Sequence, residues 1–527
     1  MPAVNPYLWI VVIGAFVSFL TGAGVGMNDL SNAFGTTYGA KVLTLTQIVI
    51  LASICEFTGA VSLGGAVTAT ISGGIANPKD FVDHPYIFMY GMLCACGAAF
   101  CWLAIATWLT LPVSSTHSIC GGVIGFALVY GGGGSVSWAD HQDDFPFVKG
   151  VVPIIASWFI SPLLTGAVAA MIYGTVRFFV LRPANSVQRA IYTLPIIVTF
   201  AFFLEVFFVL YKGAKSRLHW GVGKAAWVAA VVAVAAGVLS CGFIPLLKRR
   251  VARMEMKAAE LAELEGRPTE EVEAELVRSG YEDNINDEAR INRLYLSVPR
   301  VNEDPVAARM DDARKKGEAT TGAVVRDEAA EDSDDGMPLP SARPPTASGL
   351  EVQMFNTHAE MVYRFLQIFT AICASFAHGA SDVSNAVGPL AAIYSVYTTG
   401  AVATSSSIPI WVLCLGGAGL VVGLSTFGIR LMRLLGEKLT VITPSRGFSA
   451  ELSAALVVSF ASGYGIPVSS THCITGAVIA ISMMDVGFRR VRWIMVLRMY
   501  GGWVFTLVVT AVMSATFFAQ GINSPSL

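Results

Sequence analysis

Apolar runs close to the roughly 20 residues needed to cross a hydrocarbon core recur along both flanks of this chain. Before position 248 they fall at about 8–29, 43–66, 86–110, 112–131, 150–180, 190–211 and 223–247. Hydrophobicity returns at 358–380 and continues with interruptions to about 520, which makes about five more segments. The pattern predicts an all-α, polytopic helical membrane protein of about 12 transmembrane segments, some of them half-spans. Between the flanks, a charged helix-like run KRRVARMEMKAAELAELEG passes into EAAEDSDDGMPLPSARPPTASG, whose Pro, Ser and acidic content cannot bury a core. The expected organisation is a membrane region at 1–247, a hydrophilic and partly disordered loop at 248–355, and a second membrane region at 356–527.

Composition agrees with the pattern and excludes classes. Of 527 residues 54% are hydrophobic and 14% charged, and mean hydropathy is +0.61, whereas a soluble domain carries about a quarter charged residues. Moreover, 23 of the 37 Asp and Glu lie in 251–350, so the flanks are nearly uncharged. A soluble enzyme does not fit. A net charge of −2 offers no basic surface for nucleic acid. The nine cysteines (55, 94, 96, 101, 120, 241, 373, 414 and 473) form no CxxC pair and read as small packing residues. MPAVNPYLW has no basic n-region, so residues 7–26 are expected to be a retained span. Lys248, Arg249 and Arg250 place the loop in the cytosol and the N-terminus outside by the positive-inside rule. Arg177, Arg182, Arg189, Arg489, Arg490 and Arg492 agree, whereas Lys212, Lys215, Arg217, Arg430 and Arg433 run against it.

The flanks also repeat each other. GMNDLSNAFGTTYG (26–39) and GASDVSNAVGPLAA (379–392) share the frame G-x-x-D-x-S-N-A-x-G, and LPVSSTHSICGGVIG (111–125) matches IPVSSTHCITGAVIA (466–480). Asp29 precedes Pro112 by 83 residues and Asp382 precedes Pro467 by 85. The first repeat spans about 7–180. Seven stretches before the loop start the second copy from the opposite face, and inverted repeats are characteristic of secondary transporters.

The repeated residues carry chemistry. A carboxylate in hydrocarbon is costly, which marks Asp29 and Asp382 as functional, the alternative being a carboxylate that caps a broken helix. Pro112 and Pro467 sit where a helix can begin, with Ser114, Ser115 and Thr116, or Ser469, Ser470 and Thr471, in its first turn. Free N–H groups, the positive dipole end and hydroxyls then form an oxyanion cradle. Phosphate keeps a P–OH that can donate to a carboxylate, and sulfate does not. The acids also offer oxygen ligands for a hard cation such as sodium. Glu56 and Glu451 lie one in each half but do not align in the repeat: counting places Glu56 opposite Pro409 and Glu451 opposite Cys96. They suit coordination of a coupling ion, or serve as structural carboxylates bonded to a neighbouring helix. Glu205 lacks a small-residue motif. His117, His472 and His378 suit either proton coupling or neutral hydrogen bonding.

GMNDLSNAFGT and AHGASDVSNAVGP resemble the two copies of the G-A-N-D-V-A-N-A signature of the inorganic phosphate transporter (PiT) family, and the PVSSTH pair resembles its second signature. The resemblance covers about 7–180 and 358–515. It implies a cation-coupled phosphate symporter with external termini, re-entrant hairpins and a phosphate shell of Asp29, Asp382, Ser114, Ser115, Thr116, Ser469, Ser470 and Thr471. It further implies that Asn28, Asn32 and Asn385 support phosphate or cation and that Glu56 and Glu451 couple transport. Ser381 stands where the family has Asn, and Met27 where Ala is usual.

The resulting expectation is a secondary active transporter, not an enzyme, that imports inorganic phosphate with sodium or protons by alternating access. Sodium, a co-transported substrate with no further cofactor, is assigned to Asn28, Asn32, Glu56, Ser381, Asn385 and Glu451. The setting is a multi-pass protein of the plasma membrane, with a homodimer left open. Rivals are a sulfate or other oxyanion permease of the same fold and a membrane phosphate sensor without transport. An intramembrane hydrolase is disfavoured, because Ser and His two or three residues apart on one helix point to different faces.

Overall fold

A computed structural model describes residues 6–143, 145–213, 220–266, 355–402, 408–428 and 442–524, with isolated positions besides. Most of the 248–355 loop, and with it the expectation of partial disorder, lies outside the described residues, as do the side chains of Lys212, Lys215, Arg217, Arg430 and Arg433. The chain divides into two units, Met1–Val251 with Thr346–Leu527, and Ala252–Pro345. The second unit is described over 252–266, which is helical with Met254, Ala258 and Leu261 buried.

Among the described residues, the first unit is all-α apart from a two-stranded hairpin, Asp140–His141 with Val148–Lys149, and an isolated bridge between Ala76 and Val136. Its helices are α1 (Leu8–Gly39), α2 (Leu45–Leu63), α3 (Gly65–Gly73), α4 (Pro85–Trp108), α5 (Ser115–Gly131), α6 (Val151–Val176), α7 (Ser186–Phe208) and α8 (Val222–Cys241). There follow α9 (Ile244–Glu265), which runs into the second unit, then α10 (Thr357–Thr399), α11 (Ile410–Thr426), α12 (Pro444–Gly463), α13 (Ser470–Val486) and α14 (Trp493–Ile522). Among the described residues, 8 helical segments are long and apolar enough to cross a membrane, and α11 and α13 are shorter apolar helices. Helices α10 and α12 reach span length, at 43 and 20 residues, but carry the polar residues of the site. The fold is that of a multi-pass helical membrane protein.

Helices α1 and α10 lie side by side and antiparallel. Ile10, near the start of α1, clusters with Ile393 and Val396, near the end of α10. Thr36 and Thr37, near the end of α1, meet Gln367 and Thr370, near the start of α10, on the carboxylate of Glu451. The other helices pair reciprocally: α1 packs on α11 and α10 on α2, while α5 packs on α14 and α13 on α6. Equivalent glycines make these crossings. A Cβ on Gly26 would stand 2.2 Å from the Leu420 carbonyl oxygen, and one on Gly379 2.2 Å from that of Glu56. Packing therefore sets Glu56 opposite Leu420, where counting from the aspartates set it opposite Pro409; the α10–α11 connection is longer than the α1–α2 connection.

Neither hairpin α4–α5 nor α12–α13 crosses the bundle. Helix α4 starts with Phe88 and Met89 beside Ile10 and reaches mid-bundle with Trp102 and Leu103 beside Val383 and Ala386. Helix α5 returns from Ser115 to Phe126 and Ala127 in the starting cluster. Helix α12 enters from the other end, where Phe448 packs on Tyr363 and Leu366. The two re-entrant tips meet, with Ser114 Oγ 2.9 Å from Ser469 Oγ.

Candidate functional site

Each hairpin tip ends in an extended residue that caps the returning helix. Ser114 accepts from the His117 N–H at 3.3 Å and Ser469 from the His472 N–H at 3.4 Å. His117 Nδ1 also lies 2.8 Å from Ser114 Oγ, so, against expectation, a serine and histidine three residues apart do meet at the first tip. Two helix N-termini, each the positive end of a peptide dipole, thus converge from opposite sides on one buried locus. Ser114, Ser115, Thr116, Ser469, Ser470 and Thr471 are all buried there.

The repeats read each other across this locus. The Asn32 amide of α1 donates to Ser470 Oγ (3.2 Å) and Thr471 Oγ1 (2.8 Å) of the second repeat. The Asn385 amide of α10 donates to Ser115 Oγ (3.1 Å) and Thr116 Oγ1 (3.3 Å) of the first. Each asparagine also reaches the aspartate one turn before it, Asn32 to Asp29 Oδ1 at 3.1 Å and Asn385 to Asp382 Oδ1 at 3.5 Å. Because these side chains find partners from inside a helix, α1 and α10 pass through the motif unbroken rather than ending at it.

Each aspartate has a tip serine beside it, Ser115 at Asp29 and Ser470 at Asp382, and the two differ in the imidazole that only Asp382 meets. Ser470 Oγ donates to Asp382 Oδ2 at 2.7 Å, and His378 Nε2 lies 2.9 Å from the same oxygen. His378 Nδ1 lies 3.2 Å from Glu56 Oε1, so one imidazole spans two carboxylates. Asp29 Oδ2, Glu56 Oε2 and Asn385 Oδ1 are buried without a hydrogen-bond partner among the described residues. Oxygens so placed await a donor or a cation. Single ligand atoms of Asp29, His378 and Asp382 all lie within 4.8 Å of one another, close enough to share an ion. A cavity of ≈ 10 Å³ adjoins them, lined by Asn32, His378, Ser470 and Val458; that is about the room for one water-sized species.

The other expected residues are placed as follows. Glu451 is buried and accepts from Thr36 Oγ1 (2.5 Å), Thr37 Oγ1 (2.6 Å), Gln367 Nε2 (3.2 Å) and Thr370 Oγ1 (2.9 Å). Asn28 faces the first tip: its amide donates to the Leu111 carbonyl at 3.1 Å and to Thr107 Oγ1 at 3.3 Å, while its Oδ1 accepts from the Val113 N–H at 3.1 Å. Ser381 is buried next to Asp382. Glu205 meets Ser459 at 3.3 Å, away from the tips.

Several participants carry no sequence signal. Trp158 stacks on His117 (ring centroids 3.6 Å apart) and Trp503 lies tilted against His472 (3.9 Å), each packing an imidazole behind its tip. Nothing in their unequal spacing from the histidines announces them. Thr36, Thr37, Gln367 and Thr370 around Glu451 are likewise invisible until two helices come together.

Comparison with known proteins gives a consistent result. The profile of the phosphate transporter family matches residues 25–514. A phosphate-repressible phosphate permease of Neurospora crassa is 30% identical over 98% of both chains. Sodium-dependent phosphate transporter 2 of Felis catus is 28% identical, again over 98% of both. A solved structure of a sodium-dependent phosphate transporter superposes with a TM-score of 0.70 at 25% identity, covering 98% of this chain and 100% of the other.

Proposed function

We propose that this chain, which belongs to the phosphate transporter family, moves inorganic phosphate across the plasma membrane together with sodium, by alternating access around the paired hairpin tips. The observation that carries this reading is the reciprocal bridging of Asn32 to Ser470 and Thr471 and of Asn385 to Ser115 and Thr116. Residues that hold each other across a pseudo-twofold axis can exchange those bonds for the oxygens of a tetrahedral anion without leaving buried donors unpaired. Ser114, Ser115, Thr116, Ser469, Ser470 and Thr471 act as donors, assisted by the two helix N-termini. Asp29, with Oδ2 unpartnered, accepts the P–OH that distinguishes phosphate from sulfate; Asp382 closes the opposite side of the shell.

Sodium has a fitting chemistry here as a transported substrate. Glu56, Asn385 and Asn32 supply oxygens beside the shell, and Glu451 lies in a nest of hydroxyl and amide groups. Ser381 adds a hydroxyl, and Asn28 acts indirectly by fixing the first tip. Residues 1–247 and 356–527 form the transporting body in this reading, and 248–355 connects its halves.

Labelled phosphate uptake in transport-deficient cells, with the sodium gradient imposed or collapsed, tests the assignment. Uptake that follows the sodium gradient and is lost in Asp29→Asn at normal protein level supports it. Full uptake in Asp29→Asn and Asp382→Asn would show that the shell is misassigned.

A further inference from the structure

The two ends of the membrane body are closed by different chemistry at positions that the repeat makes equivalent. The Pro112 and Pro467 registers pair Tyr130 with Asp485 and Tyr90 and Gly91 with Ser445 and Arg446. The His–Trp contacts pair Trp158 with Trp503, and that register pairs Tyr173 with Phe518. The aspartate register pairs Tyr7 with Glu360.

At the end where α1 begins, the first hairpin is rooted in rings. Phe518 lies 5.5 Å from Phe126 and 6.1 Å from Tyr90, and Phe81 stacks on Tyr130 at 4.3 Å. At the end where α10 begins, the second hairpin is rooted in a buried polar network. Arg446 Nε of α12 meets Asp485 Oδ2 of α13 at 2.6 Å, joining the two arms. Tyr173 of α6 donates its hydroxyl to Asp485 Oδ1 at 2.8 Å, and Arg177 Nη1 lies 3.5 Å from that oxygen. Glu360 of α10 accepts from the Ser445 N–H (2.8 Å), Ser445 Oγ (2.7 Å) and Thr443 Oγ1 (3.0 Å). Arg446, Glu360 and Tyr173 are 2%, 4% and 0% exposed, so this is no surface ion pair.

We propose that the contacts of Tyr173 and Arg177 with Asp485, and of Glu360 with Ser445 and Thr443, are a releasable latch that closes the transport path at the end where α10 begins, with the Arg446–Asp485 pair holding the two arms of the hairpin together. The inference rests on the transport reading above. A buried ion pair stabilises less than apolar packing of similar volume, because desolvation offsets most of the attraction. When such a root separates and water enters, its charges regain hydration. An aromatic root opened to water exposes ring surface with no such compensation. The ionic root is thus the closure suited to switching between two packed arrangements, and its tie to both arms makes the second hairpin move as one piece.

The test uses Cys473, buried in α13 just past the tip, as the single reporter in a full-length chain whose other eight cysteines are replaced. A membrane-impermeant thiol reagent is applied to either face of sealed vesicles. Asp485→Asn is expected to raise labelling about tenfold from the face bearing the 248–355 connection and to leave the opposite face unchanged; Phe518→Ala is expected to do the reverse. Should Asp485→Asn fail to fold, Tyr173→Phe, the side chain already carried at the equivalent position 518, removes one latch bond and is expected to give a smaller rise from the same face. Equal rises from both faces, or none, overturn the latch. Absence of sodium-driven phosphate uptake in the unmodified chain refutes the transport reading instead, so the two failures are told apart.

Discussion

Asp29 and Asp382 have the same neighbours in sequence and different ones in space. Val25 occupies the place in the first repeat that His378 takes in the second, so only Asp382 is held by an imidazole. Glu451 has Cys96 as its counterpart, and each lies against the long helix of its own half: Cys96 Sγ is 3.2 Å from Thr21 Oγ1 and 3.6 Å from Ser18 Oγ of α1, while Glu451 accepts from Gln367 and Thr370 of α10. The asparagines, serines and threonines that meet between the two tips are thus symmetric, while Glu56, His378 and Glu451 are not. Asn32→Ala and Asn385→Ala should therefore weaken phosphate alike, each raising the KM for uptake about tenfold, the equivalent of ~1.4 kcal/mol; a large inequality between them would count against a two-sided shell. Glu451→Gln keeps the size and loses the charge that four donors address. A loss of about 1.5–3 kcal/mol should appear as a sodium half-saturation raised at least about tenfold, with phosphate uptake recoverable at high sodium.

At the scale of elements, Pro112 and Pro467 announce nearby helix starts, but the helices begin three residues later, at Ser115 and Ser470, so that Ser114 and Ser469 are caps rather than first-turn residues. That each helix is the returning arm of a hairpin is implied by the family resemblance and not by the motif. The passage of α1 and α10 straight through the aspartate motifs could not be read, because capping residues resemble a break until their partners from the other repeat are in place. The crossings depend on glycine for close approach. A Cβ on Gly476 would lie 2.2 Å from the Pro162 carbonyl oxygen, and one on its equivalent, Gly121, 2.5 Å from that of Leu507, whereas Gly501 has nothing within 4 Å. Gly476→Val should cost at least about 1–3 kcal/mol through overpacking, seen as a lower unfolding temperature in detergent. Gly501→Val, in the same experiment, should leave it unchanged.

At the scale of the whole molecule, transport requires the buried tips to be reached from each side in turn, and the ligand chemistry predicts what is carried. Excess sulfate should not compete with labelled phosphate uptake, because it has no proton to give Asp29; full competition would favour a general oxyanion permease. The sequence by itself determined the membrane setting, the duplication and which polar residue types recur in both halves, since hydropathy and repeat order are local properties written in consecutive residues. Only the tertiary structure decided that Asn32 serves the hydroxyls of the second tip and Asn385 those of the first, that His378 lies between Glu56 and Asp382, and that rings pack at one end and an ionic network at the other. The asparagine contacts and the His378–Glu56 contact depend on helices meeting across hundreds of residues, and the register of such a meeting is set by the packing of glycine-lined backbones, which no linear spacing encodes.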